Sequence, residues 1–596
     1  MKMNKMKKLA ALVVIGCGLM TISSCSDNYM NDVNTDKTKT LTTDPNGQLT
    51  TALLQTYGDF GLMDTYRSYI TGFTQHFAGG WNVSRYAGSV HYDDDQARLI
   101  WDNFYTVGIK NLRDAIANSA DKPNINAILR IHRVYLMSVL TDIYGDIPCM
   151  SVNDGQPKDL ATPAYDRQED IYNWFFTELK ACVEQLGTGT DAVTGDVTGY
   201  IGNTDSWKKY ANSLRMRYAM RISDKAPEKA REEFEAAYKD AAGYISSSKD
   251  DAFIKYVDNS FTYYDGAREY NYRVNALGEI LYGQDPASPS SLICATLFEY
   301  LNNNQDPRLY KIVRHYINLK RSQIKPDRMG NVDLTQEVCD YYASEPDINE
   351  SPCYPGYAWY STNGDLDPKI EWVSAAPLDR IPSLKKLVES DPEAGYDKNN
   401  YPERMMRPWL AIDFCMPDRS GILMTYAEVE FLLAEAASKG WNVTGETVDH
   451  YKLGTAEAIR HINKYYLESD NVIDEAAINT FVDAMAAKYD FTNVDIAREA
   501  INLQAWILHM MNPAEAWANL RRANYPVIYD RKSLGDNGDF TSDDSNMDTP
   551  TRLRYPSLEK KYNTVNYQAA IDRMGGVDDW HHHVWWDKDP IKTKNY

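Results

Sequence analysis

The sequence lacks the short motifs on which many enzyme assignments depend. It has no H-E-x-x-H helix, no G-x-S-x-G elbow, no P-loop and no G-x-G-x-x-G loop. None of its 8 cysteines forms a C-x-x-C pair, so the usual sequence signal for a zinc or thioredoxin-like site is missing. With 84 acidic residues, carboxylate pairs suited to glycoside hydrolysis arise by chance and carry little information. The chain therefore offers no positive signature of catalysis.

Positive charge is also in short supply. Lysine and arginine number 63 against 84 acidic residues, which gives a formal net charge of -21. Such a surface repels phosphate backbones, so we expect no nucleic-acid partner. It remains compatible with neutral sugars and with basic peptides.

Long apolar runs are absent after the first 24 residues, where a membrane-spanning helix would need about 20. The single run, residues 9–20, is too short to span a bilayer and follows four lysines. It leads into Ile22-Ser23-Ser24-Cys25, which resembles the bacterial lipobox. We therefore predict a lipoprotein signal peptide over residues 1–24 and acylation of Cys25, with palmitate among the attached chains. Ordinary secretion, with Cys25 in a disulfide, is the alternative.

The mature chain divides by composition into a tether and one long body. Residues 25–48 have no apolar period and read as a flexible tether. Helical periodicity fills residues 49–249 and 425–523, around an irregular insert at 250–424 rich in Gly, Pro, Asn, Asp and Tyr. The tail, 524–596, is predicted to be loop-rich. We expect a single, mainly α domain over 49–596, with tetratricopeptide-like helix pairs and a loop-rich insert that carries the ligand site.

Apolar stripes locate the individual helices of this scaffold. The first runs from Ile125 and stops at Tyr144-Gly145, and Asp166 is expected to cap the second. The other predicted helices are 207–222, 227–246, 425–439, 454–467, 474–488 and 495–511, with short helices at 289–304 and 379–390 in the insert.

Seven segments, in this order, resemble the SusD/RagB family of outer-membrane nutrient-binding lipoproteins. They are 141–148 (TDIYGDIP), 207–221 (WKKYANSLRMRYAMR), 306–309 (DPRL), 426–436 (YAEVEFLLAEA), 515–522 (EAWANLRR), 552–556 (RLRYP) and 584–587 (VWWD). The resemblance implies a binding protein, not an enzyme, lipid-anchored on the outer membrane and facing outward. It also implies a SusC-type TonB-dependent transporter as partner, with this protein acting as its lid. The implied cargo is an oligosaccharide, and an oligopeptide is the alternative.

Charged and aromatic residues within these segments also have a structural interpretation. Arg217 and Arg221 share a helix face, and we expect them to form ion pairs with Glu428, Glu430 or Glu435. The tryptophans of the last segments, Trp517, Trp585 and Trp586, are expected in the core.

Two loop stretches combine aromatic rings with planar polar groups, as sugar binding requires. Beside Gly79-Gly80 lie the candidate ligand residues Trp81, Asn82, Arg85 and Tyr86. In the insert the candidates are Tyr354, Tyr357, Trp359 and Tyr360, next to Asn363 and Asp365. Tyr263 and Tyr264 form a third, weaker group. Each loop could instead pack only on itself.

No cofactor is expected, although three groups leave a metal open. Calcium could bind at 93–95 or at Asn363, Asp365 and Asp367, and another metal at the histidines 581–583. A disulfide between Cys339 and Cys353 is also open. The competing functions are an α-helical glycoside hydrolase and a lipoprotein that only helps the transporter assemble.

Overall fold

The computed structural model describes residues 43–78, 84–88, 90–154, 161–257, 272–282, 292–314, 409–530 and 548–595. Residues 45–596 form one compact unit. Its first helix, Pro45–Gly58, begins inside the segment predicted as a tether. The helical body therefore starts a turn earlier than the composition indicated.

Short helices follow Pro45–Gly58 and build the N-terminal part of the body. Three of them have the wider π-helical turn, at Tyr66–Ile70, Ser84–Gly88 and Phe104–Ile109. The α-helical pieces are Phe60–Thr65, Thr71–Phe73, Asp94–Ala97, Leu99–Asn103 and Lys110–Ala117. Asp59 and Asp93 cap two of these pieces by accepting a hydrogen bond from a backbone N–H in the first turn.

Four longer helices form the first part of the scaffold, and three of them match the sequence prediction closely. They are Pro123–Tyr144, Gln168–Gln185, Thr204–Arg221 and Pro227–Tyr238. Proline at the first helical position fixes φ before the helix starts. Gly145 ends the helix Pro123–Tyr144 with φ +88°, a value that a residue with a Cβ rarely adopts.

The cap expected from Asp166 is wrong. Arg167 occupies the N-cap position of Gln168–Gln185 and makes no side-chain cap. Asp146, from the preceding loop, accepts the Gln168 N–H at 2.9 Å instead. Asp166 accepts the backbone N–H groups of Cys149 and Met150, which fixes the loop in between.

The helix predicted at 227–246 is also too long, because it ends at Tyr238. Beyond it Asp240 accepts the Ala242 N–H, and Gly243 adopts φ +75°. Asn212 then donates to the Gly243 carbonyl at 2.9 Å. This turn folds the chain back onto the preceding helix before a further helical turn can form.

The second part of the scaffold has five helices and a smaller apolar core of its own. The helices are Tyr426–Ser438, Thr447–Tyr465, Glu475–Lys488, Val494–Leu508 and Pro513–Ala523, with a 3₁₀ turn at His509–Met511. Thr425, Asp474, Asn493 and Asn512 cap four of them through side-chain oxygens. The smaller core includes Phe431, Tyr451, Ile459 and Ile501.

The described ends of the insert contain short elements, as the sequence predicted. The helices are Ala276–Tyr282, Ala295–Asn303 and Leu309–Ile312, with a 3₁₀ turn at Ile412–Phe414. The short helix Met150–Asp154 lies outside the insert, between Pro123–Tyr144 and Gln168–Gln185. Ala295–Asn303 confirms the helix expected within 289–304. The helix expected at 379–390 lies outside the described residues.

Strands in the described residues form only two-stranded ladders. Three are antiparallel: Phe77–Ala78 with Leu292–Ile293, Ala252–Ile254 with Gly421–Met424, and Val313–Arg314 with Trp409–Leu410. The fourth is parallel and joins Ile528–Tyr529 to Thr593–Lys594. The described fold is mainly helical, as predicted.

The tail is not merely a loop, because it contains the helices Ser557–Tyr562 and Thr564–Arg573. It also packs on the turn at 142–146. Leu553 N–H donates to the Ile143 carbonyl, and Trp586 Nε1 donates to Asp142 Oδ1 at 2.8 Å. The tail therefore completes the end of the first scaffold helix.

Across the residues that the structure describes, no helix is both long and apolar enough to cross a bilayer.

Candidate functional site

An aromatic cluster lies directly beside the first predicted ligand loop. It consists of Tyr69, Phe73, Tyr86, Tyr92 and Trp580. The rings of Tyr69 and Tyr86 stack with centroids 5.2 Å apart. Tyr92 meets the Trp580 ring edge-on at 5.6 Å. Phe73 precedes residues 79–83 in the chain and Tyr86 follows them, so contacts with Tyr69 join the two described flanks of the predicted loop.

Of the four predicted ligand residues in this loop, the structure describes Tyr86 fully. Its ring is 7% exposed, and its hydroxyl donates to Asp93 Oδ2 at 2.9 Å. Arg85 belongs to the π-helical segment Ser84–Gly88, and its side chain lies outside the described residues. Trp81 and Asn82 lie outside them altogether. Tyr86 is therefore packed at the base of the loop, and ligand contact by this group stays a prediction.

Tyr92 and Arg554 are polar residues at the rim of the cluster that sequence reasoning missed. Both are half-buried, and the Arg554 guanidinium lies 4.3 Å from the Tyr92 ring centroid. The Tyr92 hydroxyl donates to Asp94 Oδ1 at 2.5 Å. The signal for Tyr92 was its position six residues after the last candidate of the predicted loop, and Arg554 lay inside a family segment.

The three aspartates considered for calcium face different protein partners. Asp93 accepts the Gln96 N–H as a helix cap, and Asp94 accepts both the N–H and the hydroxyl of Ser557. Asp95 is exposed and pairs with Arg98 at 3.1 Å. Calcium binding here stays a prediction.

The predicted ligand residues of the insert lie outside the described residues. The same applies to other predictions, namely Cys25, Tyr263, Tyr264, the Cys339–Cys353 disulfide and the calcium group at Asn363, Asp365 and Asp367.

A second concave site, which we call the tail cleft, encloses about 620 Å³ between the first scaffold helices and the tail. This volume falls within the range of small-ligand sites, about 300–1,000 Å³. Its polar lining comes from the N-terminus of Gln168–Gln185, the turn after Tyr144 and the tail. The lining residues include Asp146, Arg167, Glu169, Arg552, Arg573, His582, His583 and Trp585.

The tail histidines are held by aspartates. His582 Nδ1 lies 2.8 Å from Asp579 Oδ1, and His583 Nδ1 lies 3.0 Å from Asp587 Oδ2. The interaction with Asp587 raises the pKa of His583 above its usual value. The fixed Nδ1 contacts leave each Nε2 as the ring nitrogen available to another partner. Metal binding by this group stays a prediction.

The arginines predicted to form structural ion pairs do so, although one partner differs. Arg217 Nε donates to Glu428 Oε1 at 2.5 Å, as expected. Arg221 pairs with Glu515 at 2.6 Å, which the sequence analysis did not consider. Burial acts to raise the pKa of Glu515, but Arg221 and Arg217 outweigh it and lower that pKa to about 2. These side chains connect helices that are distant along the chain.

Glu435 and Arg522 form the matching buried pair in the second part of the scaffold. Arg522 Nη1 and Nη2 donate to the two Glu435 carboxylate oxygens at 2.7 and 2.8 Å. Glu430, in contrast, contacts His450 Nδ1 at 2.6 Å. The buried carboxylate of Glu435 thus has a cationic partner, which is the arrangement that buried charge requires.

The tryptophans of the family segments are largely core residues, as predicted. Trp517 and Trp586 are buried, and the Arg521 guanidinium lies between their rings, 4.0 and 4.9 Å from the centroids. Trp585 is half-buried and lines the tail cleft.

Two family descriptions match most of the chain. Residues 37–350 match a SusD-like family described as "Starch-binding associating with outer membrane". Residues 403–587 match the family described as "Susd and RagB outer membrane lipoprotein". No curated protein sequence matches the chain.

Solved structures with similar folds cover almost the whole chain. One, named "Bacteroidetes AC2a SusD-like", is 36% identical, with a TM-score of 0.79 over 92% of this chain and 100% of that one. Another, named "chitin-binding protein", is 28% identical, with a TM-score of 0.69 over the same shares. A SusD homolog from Bacteroides uniformis ATCC 8492 is 22% identical over 91% of this chain and 99% of that one, with a TM-score of 0.65. This last similarity concerns the fold alone.

The matched families, the helical scaffold and the solved relatives agree on one class. The chain belongs to the SusD/RagB family of outer-membrane lipoproteins.

Proposed function

We propose that this protein binds an oligosaccharide at the cell surface and delivers it, as a lid, to a SusC-type TonB-dependent transporter. The observation that carries the cargo class is the similarity to a solved chitin-binding protein, 28% identical over 92% of this chain. The first family description, with its reference to starch, points to the same class of ligand. Binding rather than hydrolysis agrees with the absence of catalytic motifs from the sequence.

The proposed ligand site consists of the loop at residues 81–86 together with the insert. Rings such as Trp81 would stack on the apolar face of a sugar, while Asn82 and Arg85 would bond its hydroxyls. The half-buried Tyr92 and Arg554 add a polar rim next to that loop. Tyr354, Tyr357, Trp359 and Tyr360 of the insert, 250–424, are proposed to contact the same ligand.

Calorimetry on the chain from residue 26 onward would test this proposal. We expect an N-acetylglucosamine hexamer or another neutral glycan, such as maltohexaose, to bind, and Trp81→Ala to weaken that binding by about five- to a hundredfold. Loss of one stacked ring costs about 1–3 kcal/mol for nucleobases, and we take the same order here. Tyr562→Ala is the control, because Tyr562 is 65% exposed on a tail helix outside the proposed site.

Two results would contradict the proposal. Binding of oligopeptides but not of glycans would transfer the same role to peptide cargo. Sustained release of new reducing ends, abolished by changing one carboxylate, would identify a glycoside hydrolase.

The proposed anchor has a separate test. Cys25→Ala removes the thiol that would carry the lipid, so we expect the folded protein to leave the membrane fraction. Retention of this variant in the outer membrane after a high-salt wash would rule out Cys25 as the anchor.

A further inference from the structure

The tail cleft has more hydrogen-bond donors than its own residues satisfy. One source is the N-terminus of the 18-residue helix Gln168–Gln185. Asp146 accepts the Gln168 N–H, but the Glu169 N–H has no acceptor among the described residues. The first N–H groups of a helix carry partial positive charge and favour an anionic ligand.

A deeply buried arginine in the wall of the cleft provides an independent indication. Arg552 is 0% exposed, and its Nη1 donates to Asp578 Oδ1 at 2.6 Å. Its Nε donates to the Tyr144 carbonyl at 3.2 Å. Its Nη2 has no hydrogen-bond partner among the described residues. An unsatisfied buried donor on a charged group is costly, so a hydrogen-bond acceptor is expected near Arg552 Nη2.

Cationic side chains surround these donors. Arg167 is exposed at the cleft and has no ion-pair partner among the described residues. Arg573 Nε donates to Asp146 Oδ2 at 2.6 Å, and the Gln168 N–H donates to its Oδ1. Both carboxylate oxygens of Asp146 therefore already accept hydrogen bonds within the protein. His583 retains its proton to a higher pH than a free histidine because of Asp587. Within the lining, Glu169 is the carboxylate that remains open.

We infer that the tail cleft binds a carboxylate group, which would accept hydrogen bonds from Arg167, the helix N-terminus and the tail side chains. A carboxylate offers two acceptor oxygens and no donor, which complements a donor-rich wall. Half-buried Trp585 gives the rest of such a ligand an apolar surface. The carboxylate belongs either to an acidic sugar or to the free C-terminus of a peptide.

This inference goes beyond the proposed function and does not depend on it. The cleft shares no lining residue with the aromatic cluster, so either site can fail while the other stands.

Calorimetry and tryptophan fluorescence on the chain from residue 26 onward would test the cleft. The probes are trigalacturonate against its methyl ester, and trialanine against trialanine amide. We expect one free acid to bind and its neutral counterpart to bind at least about tenfold more weakly, and the pair that responds identifies the source.

Variants then locate the binding. Arg167→Gln should weaken binding of the free acid about tenfold, whereas Arg167→Lys, which keeps the charge, should retain most of it. Arg231→Gln is the control, because Arg231 is exposed on Pro227–Tyr238 and pairs only with Glu235 among the described residues. Arg167 is exposed, so its variants are expected to keep the thermal stability of the parent.

Three results would overturn the inference. The first is equal binding of acid and neutral probe, and the second is binding that Arg167→Gln leaves unchanged. The third is no binding of either free acid at millimolar concentration.

Discussion

Replacing Glu435 with glutamine would measure what a buried ion pair contributes to this scaffold. Both carboxylate oxygens of Glu435 accept hydrogen bonds from Arg522, and its side chain is 2% exposed. Glutamine keeps the size of the side chain but removes the charge, so Arg522 would be left as a buried cation without its counter-charge. Breaking such a pair typically costs about 3–5 kcal/mol. We expect Glu435→Gln to lower the free energy of unfolding by about that amount.

The chain offers a matched control on another helix. Arg460 donates through Nε and Nη2 to the two oxygens of Glu475 at 3.0 and 2.6 Å, so this pair is bidentate as well. Glu475, however, is 61% exposed, and water screens the pair. Exposed pairs contribute about 0.2–1 kcal/mol, so Glu475→Gln should cost no more than that. The comparison sets a buried bidentate pair against an exposed one, whose arginine also keeps Glu457 as a partner at 2.9 Å.

Urea unfolding, followed by circular dichroism, is the assay. The midpoint should fall for Glu435→Gln at an unchanged slope, because a change in slope would report a different unfolded or native state. The reasoning is refuted if both variants cost the same. It is also refuted if Glu435→Leu with Arg522→Met is less stable than Glu435→Gln alone, since removing both charges should relieve the unpaired cation.

Three further predictions concern acid, packing and a thiol. The pKa of Glu515 in the folded protein is about 2, below its usual 4.5. Its contribution to stability is therefore complete above about pH 5 and is lost as the pH falls toward 2. The free energy of unfolding, measured across this pH range, should decrease steadily. Gly58→Ala would place a Cβ 2.4 Å from the Tyr272 carbonyl oxygen and should lower the free energy of unfolding by about 1–3 kcal/mol. Gly47→Ala, in the same helix, meets nothing within 4 Å and should leave the melting temperature unchanged or raise it. Equal melting temperatures for the two variants would contradict this. Burial raises the pKa of Cys182 to about 12. Mass spectrometry should therefore find this thiol unlabelled by a disulfide reagent at pH 8 until urea unfolds the protein. Labelling in the native state would argue against the packing of Cys182.

The scaffold helices were readable from sequence because each buries a periodic stripe. The stripe from Ile125 onward and the glycine after Tyr144 predicted a helix that the structure places at Pro123–Tyr144. Its bounds depend on neighbours within a few residues, which local patterns capture.

The sequence could not predict hydrogen-bond and ion-pair partners that are distant along the chain. The Gln168 N–H is capped by Asp146, 22 residues earlier, and Arg221 meets Glu515, 294 residues later. The tail helices were missed for another reason. Ser557–Tyr562 buries none of its residues, and Thr564–Arg573 buries only Tyr567, Ala570 and Ile571, so the apolar stripe is too short to reveal a helix.

The candidate site divides in the same way. The position of the predicted ligand loop near Tyr86 followed from local composition, but the ring cluster around Tyr86 required Trp580, which lies almost five hundred residues later in the chain. The tail cleft was not foreseen, because its walls come from three separate stretches that meet only in the folded protein.

The packing of the tail on the turn at 142–146 has a consequence for the order in which the protein can mature. Residues 553–586 are synthesised after nearly all of the scaffold, yet they provide hydrogen bonds to Ile143 and Asp142 at the end of its first long helix. A nascent chain still in production therefore carries that helix end without its cover. The end of Pro123–Tyr144 can gain this cover only once the chain through Trp586 is present where the protein folds.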